Sequence, residues 1–396
     1  VRAIEGIRVW DGIRDVGVSR LSWLPDRIEE VTPAAEDRFP ELCVIPGLVD
    51  THVHLLGSAH DDGDTFTWPL VTRREEQTLH AAANAQRAMR NGVTTLRDLA
   101  GDEAQVAVRR AFDLGIMPGP RVLVSGPVGM TAGHGDLFLP PAVRERAPLA
   151  DSPDECRKLV RTWARAGVTG IKIFTSGGVL SIGDKVGWRN HTRAELAATV
   201  DEAHALGMLV SAHAHSEVGI QIAMEEGADS IEHGTELTAA QAEILAARGT
   251  PVGPTLLINE IIAQGKAPAS AEAREKAAEL VARRDDLFRS AARTGVRFVL
   301  ATDASGYFVR FGDQMSEVVR MTEVLGISAE AALRAATSDA AASIGLGDVT
   351  GSLTPGLGAD FVVLRGRPWA RIEDLRPETI VAVVSRGEVV AGRLPG

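Results

Sequence analysis

A chain of 396 residues is too long for one small core, and its length suggests two or three domains, or one barrel with an appendage. Hydrophobic content of 45% with 24% charged residues is that of a globular protein, which excludes disordered and collagen-like classes. The net charge of −11 is spread along the chain without a basic block, so a nucleic-acid partner is not expected.

Cys43 and Cys156 are the only cysteines and form no CxxC pair, so neither a disulfide framework nor a thiolate zinc site is encoded. A reducing, cytoplasmic setting is the expectation. No apolar run reaches membrane-spanning length, and the residues from Val1 show neither a basic leader nor a small-residue cleavage site, so no membrane partner is expected either.

In chain order, residues 2–30 are β-patterned, with Gly and Asp turns. From Pro46 onward, short β-rich runs alternate with Ala/Leu/Glu/Arg-rich stretches of helical character, the pattern of βα units around a parallel sheet. The runs fall at 47–54, 93–99, 121–128, 170–174, 208–215, 230–233, 251–256 and 297–303, with helices predicted at 75–90, 153–166, 193–206, 218–226, 239–247 and 271–294. Eight βα repeats in about 260 residues match a closed (β/α)8 TIM barrel of the α/β class. Residues 351–396 return to β pattern at 360–364 and 380–384. Neither end is long enough to bury a good core alone. Residues 1–45 and 351–396 are therefore expected to build one small β-sandwich beside a barrel of residues 46–350.

The polar residues of these runs gather near the C-terminal strand ends, where barrel enzymes place their catalytic groups. The first run ends in His52-Val53-His54, whose two imidazoles share a face if the run is a strand. With ten histidines in the chain, roughly a quarter of a His-x-His is expected by chance, so the pair carries weight only through partners. Those partners are Lys172 in the fourth run, His213 and His215 in the fifth, Glu232-His233-Gly234 in the sixth and Asp303 in the eighth. A lysine flanked by Ile171 and Ile173 has two readings. It can pair with a nearby carboxylate, or its amine, with the pKa lowered by desolvation, can react with carbon dioxide to give a carbamate that bridges two divalent ions. Four histidines and an aspartate arriving from other strands favour the carbamate.

On these residues the chain resembles the binuclear-metal subtype of the amidohydrolase superfamily. His52 and His54 match the family's first-strand pair, Lys172 its carboxylated lysine, His213 and His233 its fifth- and sixth-strand histidines, and Asp303 its eighth-strand aspartate. Segments 131–136, 172–179, 230–234 and 351–360 resemble more closely the branch of prolidase-like and imidazolonepropionase-related enzymes, which includes Xaa-Pro dipeptidases, arginine carboxypeptidases and ochratoxin amidases. The resemblance implies two divalent ions, zinc foremost, the more buried held by His52 and His54 and the other by His213 and His233, with the Lys172 carbamate as bridge. It implies that Asp303 takes the proton of a metal-bridging hydroxide nucleophile and passes it to the leaving amine. It also places His134 and His215 against substrate, His134 to polarise the scissile carbonyl. Tyr307 and Arg310, which follow Asp303, are further substrate candidates, the arginine for a carboxylate. The loop after the fourth run brings Trp188, Arg189 and His191 near the barrel mouth.

The expected activity is hydrolysis of the C–N amide bond of a small-molecule substrate, a dipeptide or N-acyl amino acid, by a homo-oligomeric enzyme. Xenobiotic amides, carbamates, ureas and cyclic amides are the alternative substrates on the same site. A mononuclear deaminase is disfavoured because Ser216 stands where deaminases resembling this family place a glutamate, with Glu217 one position late. A non-catalytic scaffold is disfavoured by the filled ligand positions. His60, His80, His191 and His204 have no supporting pattern, and Asp98 at the end of the second run is read as a salt-bridge partner within the barrel.

Overall fold

The computed structural model describes residues 1–60, 66–144 and 146–396. The N-terminal strands are β1 (Arg2–Trp10), β2 (Asp15–Trp23), β3 (Ile28–Pro33) and β4 (Leu42–Pro46). The barrel strands are β5 (Leu48–Val53), β6 (Val93–Leu99), β7 (Arg121–Val128), β8 (Gly170–Phe174), β9 (Leu209–Ala214), β10 (Ser230–His233) and β11 (Val252–Gly253), and the C-terminal ones are β12 (Phe361–Arg365), β13 (Ile380–Ser385) and β14 (Glu388–Gly392). Among the described residues these form two sheets, in the orders β14-β13-β12-β4-β1-β2-β3 and β11-β10-β9-β8-β7-β6-β5.

All neighbours in the second sheet are parallel. The run at 297–304 closes it, bridging β11 through Val252 and Phe298 and β5 through Val53 and Ala304. Backbone bonds from Thr51 N to Leu300 O, Asp303 N to His52 O and His54 N to Ala304 O complete the seam. This eighth segment makes single bridges and not a regular strand, and Asp303 at its end takes a left-handed φ of 57°. Asp50 reinforces the closure, its Oδ2 accepting from Thr302 Oγ1 at 2.6 Å and its Oδ1 from Thr302 N at 3.1 Å. The TIM barrel anticipated from the rhythm of the runs is the observed fold.

Helices α1 (Trp68–Val71), α2 (Arg74–Arg90), α3 (Glu103–Asp113), α4 (Pro153–Ala166), α5 (Arg193–Ala205), α6 (Glu217–Glu225), α7 (Ala239–Arg248), α8 (Leu256–Ala263), α9 (Ala271–Thr294), α10 (Gln314–Leu325), α11 (Ala329–Ala335) and α12 (Ser338–Ser343) accompany the strands. Their ends are written locally. Ser152 caps α4 with Pro153 at its first position, and Thr192 with Glu195 forms a reciprocal capping box on α5. Ser270 and left-handed Gly295, with φ 97°, bound the long α9. Helix α8 is a correction to the predicted strand at 251–256, which ends at Gly253. Its Leu-Leu-Ile-Asn-Glu-Ile-Ile-Ala sequence is a short, largely apolar run, which periodicity alone does not assign to helix or strand.

The two chain ends share one sheet because β12 pairs with β4 and β4 with β1. That sheet folds over so that its halves face each other. Trp23 packs edge-on against Phe361 at 4.9 Å, and its Nε1 donates to Gly387 O at the β13–β14 turn. Ile7, Val9, Leu21, Val44, Phe361 and Val384 fill the resulting separate core, the expected sandwich from both termini. Gly47 joins the two sheets, and a Cβ there would lie 2.1 Å from Thr94 Oγ1, so only glycine permits the approach. No helix among the described residues is long and apolar enough to cross a membrane.

Candidate metal centre

Strand alternation puts Ile171 and Ile173 in the packing layer and turns Lys172 to the opposite face of β8. The same logic carries His52 inward from β5 and His213 from β9. His54, His134, His215, His233 and Asp303 join them around one cavity of about 320 Å³. Three loop or strand-end residues around it, His233, Thr255 and Asp303, hold φ values of 72°, 44° and 57°, a left-handed conformation that non-glycine residues adopt at a cost and that recurs at functional sites.

Two groups of donors result. His52, His54 and Asp303 offer ligand atoms lying within 4.8 Å of one another, and so do His213, His215 and His233. Asp303 Oδ1 is 3.1 Å from His54 Nε2 and 3.6 Å from His52 Nε2. Hydrogen bonds orient the rings. His52 Nδ1 meets Glu232 Oε2 at 3.0 Å, His215 Nδ1 meets Thr235 Oγ1 at 2.8 Å and His233 Nδ1 meets Thr255 Oγ1 at 2.7 Å, which leaves each Nε2 for the centre. In His213 the order is reversed, Nε2 lying 3.2 Å from Gly177 O, so Nδ1 is the nitrogen left for a ligand. The rings of His215 and His233 are stacked at 4.4 Å.

Burial keeps His52, His213, His215 and His233 neutral, the form that binds a metal. It pulls His52 down to about 4, with Lys172 nearby adding to the effect, and His215 to about 3. His213 and His233 lie well below their usual value for the same reason. Burial alone would raise Asp303, but His52, His54 and Lys172 outweigh it and hold the carboxyl at about 2, ionised at neutral pH. Lys172 is lowered to about 8 by burial, against the pull of Glu232 and Asp303. No carboxylate among the described residues forms an ion pair with its amine, which removes the paired-lysine reading. The donor set therefore fits two divalent cations: neutral imidazoles, an ionised carboxylate and a buried lysine with a depressed pKa.

Glu232, not assigned a role from sequence, is central to this arrangement. It is fully buried, bonded to His52, to Arg97 Nη2 at 2.8 Å and to Ser230 Oγ at 2.6 Å. Burial opposes its charge, yet Arg97 and His52 hold the carboxyl below the usual range. Asp98 departs from its reading as a salt-bridge partner. Its Oδ2 accepts from Leu55 N at 2.9 Å, and its buried Oδ1 has no hydrogen-bond partner.

His134 stacks on His213 with ring centroids 4.2 Å apart. Its Nδ1 is 2.8 Å from Ser181 Oγ, in a segment held by Asp184, which accepts from Gly178 N and pairs with Lys276 at 2.7 Å. A Cβ on Gly178 would lie 1.9 Å from His134 Cε1, so the segment's glycine is what lets the ring lie there. Tyr307 and Arg310 are not among the side chains that line the cavity. Tyr307 donates to Pro268 O, and Arg310 is exposed. Trp188 and Arg189 are exposed as well, and His191 is buried with its Nδ1 donating to Phe174 O, away from the cavity. His80 and His204 serve local structure, His80 accepting from Ala59 N and His204 meeting Asp229. Glu217, the nearest candidate for a deaminase glutamate, is exposed in the first turn of α6.

A TIM barrel with clustered imidazoles, an aspartate and a buried lysine at its C-terminal strand ends defines a metal-dependent hydrolase class. The chain belongs to the amidohydrolase family, whose model matches residues 43–390, and it is a hydrolase acting on C–N bonds. It is 31% identical to ochratoxinase of Aspergillus niger over 375 residues, covering 88% of this chain and 76% of the relative. Imidazolonepropionase of Salinispora arenicola is 28% identical over 388 residues, covering 92% of this chain and 86% of the relative. The crystal structure of a Xaa-Pro dipeptidase with methionine in its active site superposes with a TM-score of 0.88 at 29% identity over 98% of each chain. That of the A. niger ochratoxinase superposes at 0.87 and 28%, over 100% of this chain and 96% of that one. These relatives place the chain in the prolidase-like and ochratoxinase branch.

Proposed function

We propose that this chain hydrolyses the amide bond of a dipeptide or N-acyl amino acid at a two-metal centre. His52, His54, His213, His233 and Asp303, with Lys172 as its carbamate, would hold two divalent ions, zinc foremost. The observation that carries the reading is a buried lysine without an ion pair among the described residues, lining one cavity with two groups of imidazole and carboxylate donors. Such ions supply an acidified water and polarisation of a carbonyl.

The remaining work belongs to the protein. Asp303, ionised and 3.1 Å from His54, accepts the proton of the attacking water and returns it to the leaving amine. His134, anchored at Nδ1, turns Nε2 to the carbonyl oxygen and supports its developing charge. His215 contacts substrate or completes the second group of donors. A second reading, a xenobiotic amide of the kind named for the ochratoxinase relative, draws support from the cavity's apolar walls, Phe138, Leu149, Ile258 and Ile262 among them.

The decisive experiment supplies purified protein with bicarbonate and zinc, manganese or cobalt. A panel of N-acyl amino acids, dipeptides, aryl amides and carbamates is then screened. Turnover that Asp303→Asn lowers by about 10²–10⁴-fold supports the mechanism. Protein that takes up no metal under any of these conditions rejects it.

A further inference from the structure

The apolar helix α8 lines the cavity, and its first two residues are fixed by hydrogen bonds. The Glu317 carboxylate accepts from Leu257 N at 3.0 Å and from Leu256 N, and Arg284 donates to Leu256 O at 3.0 Å. The residue before the helix, Thr255, is the partner of His233. The helix is thus tied directly to the donor cluster. Ile258, Asn259 and Ile262 line the cavity from it.

Asn259 is the anomaly on that face. It is only 3% exposed, and its Nδ2 makes no hydrogen bond among the described residues. Buried carboxamide donors are rarely left unsatisfied in folded proteins, because they have surrendered water for nothing. Rotation about the broad terminal torsion exchanges the oxygen and nitrogen, so the group can turn its donor to the cavity. Beyond the imidazoles, Lys172 and Asp303, the described polar side chains lining the cavity are Asn259 and Ser305, with no arginine. Among the described residues, no guanidinium lines the cavity to meet a substrate carboxylate.

We infer that Asn259 seats the second carbonyl oxygen of the substrate, the one beyond the scissile amide, while Ile258 and Ile262 take its hydrocarbon arm. This rests on the amide-hydrolase reading of the site. The acceptor is a carbonyl-type oxygen, from either a carboxamide or a carboxylate. An amide donor satisfies such an oxygen without bringing a charge into an apolar wall.

The test uses three ketomethylene analogues of N-phenylacetyl-phenylalanine, in which CH2 replaces the scissile NH, ending in a carboxylate, a carboxamide or a methyl group. Their binding to the metal-loaded protein is measured by calorimetry. Asn259→Leu is expected to weaken the better-bound carbonyl ligand by about tenfold and the methyl ligand by less than about twofold. Asn259→Ala, too small to push on its neighbours, should reproduce the selective loss. The carbonyl ligand with the larger loss identifies acid or amide as the natural group. Equal losses for all three ligands in both variants would overturn the assignment. Selective binding without turnover of any amide would reject the hydrolase reading alone, whereas amide turnover with an unchanged KM in Asn259→Leu would reject the anchor alone.

Discussion

Glu232 Oε2 lies 3.0 Å from Nδ1 of His52, and both side chains are buried. The carboxylate holds the Nδ1 proton, so the Nε2 lone pair is directed toward Asp303. The amide of Glu232→Gln cannot serve both His52 and Arg97 in the same way. Metal affinity should fall by about 10–100-fold, read by competition with a chelator of known affinity. Unchanged affinity would confine Glu232 to supporting the barrel.

Lys172→Ala removes the lysine that lines the cavity among the described residues. Metal content should drop from two ions per chain to one, with amide turnover lost, by elemental analysis and assay together. Full activity with a single ion would favour a mononuclear mechanism. Short carboxylates supplied to the variant should restore part of the activity, because they offer the same pair of oxygens as a carbamate.

Ser181→Ala removes the group that orients His134 while leaving the cavity wall in place. The expected result is a kcat lower by about tenfold with KM nearly unchanged, the pattern of a group lost from transition-state support. A rise in KM alone would make His134 a binding residue.

Glu317 caps the first N–H groups of α8 and is not itself among the donors. Burial pushes its carboxyl up to about 8 from 4.5, against the Leu256 and Leu257 N–H groups and Arg284. A folded pKa above the unfolded one means that the native state binds more protons between those values, so stability is greatest below about 4.5 on this account and declines as pH rises through 8. Glu317→Gln does not titrate, and it should flatten that part of the Tm-versus-pH curve. An unchanged slope would show that Glu317 is already ionised in the native protein through the cap it makes on α8.

Both cysteines are buried, and burial pushes Cys43 up to about 12 and Cys156 to about 11. Neither should react with a thiol reagent in the native protein, and both should react in denaturant. Fast labelling of native protein would mean that the corresponding region opens readily.

Much of the barrel was legible because its information is local. Period-two runs alternating with capped helical stretches need no knowledge of distant residues, and α4 and α9 fall where their Ser-Pro, Ser and Gly boundaries put them. Helix α8 was not legible, since a short apolar run does not by itself distinguish helix from strand, and its first N–H groups are capped by Glu317, some sixty residues away in the chain. The role of Glu232 was hidden for a related reason. Alternation sends neighbours on a strand to opposite faces, but His233 turns to a φ of 72°, so both residues serve one centre.

By itself, the sequence determined the fold class and the chemical kind of the donors, because strand periodicity and side-chain identity are properties of short segments. Tertiary structure alone decided which nitrogen of each ring faces the centre, that Lys172 has no carboxylate ion-pair partner among the described residues, that Arg310 is not among the residues lining the cavity and that Asn259 is. Those are distances between residues far apart in the chain, set only when the barrel closes and water leaves its interior.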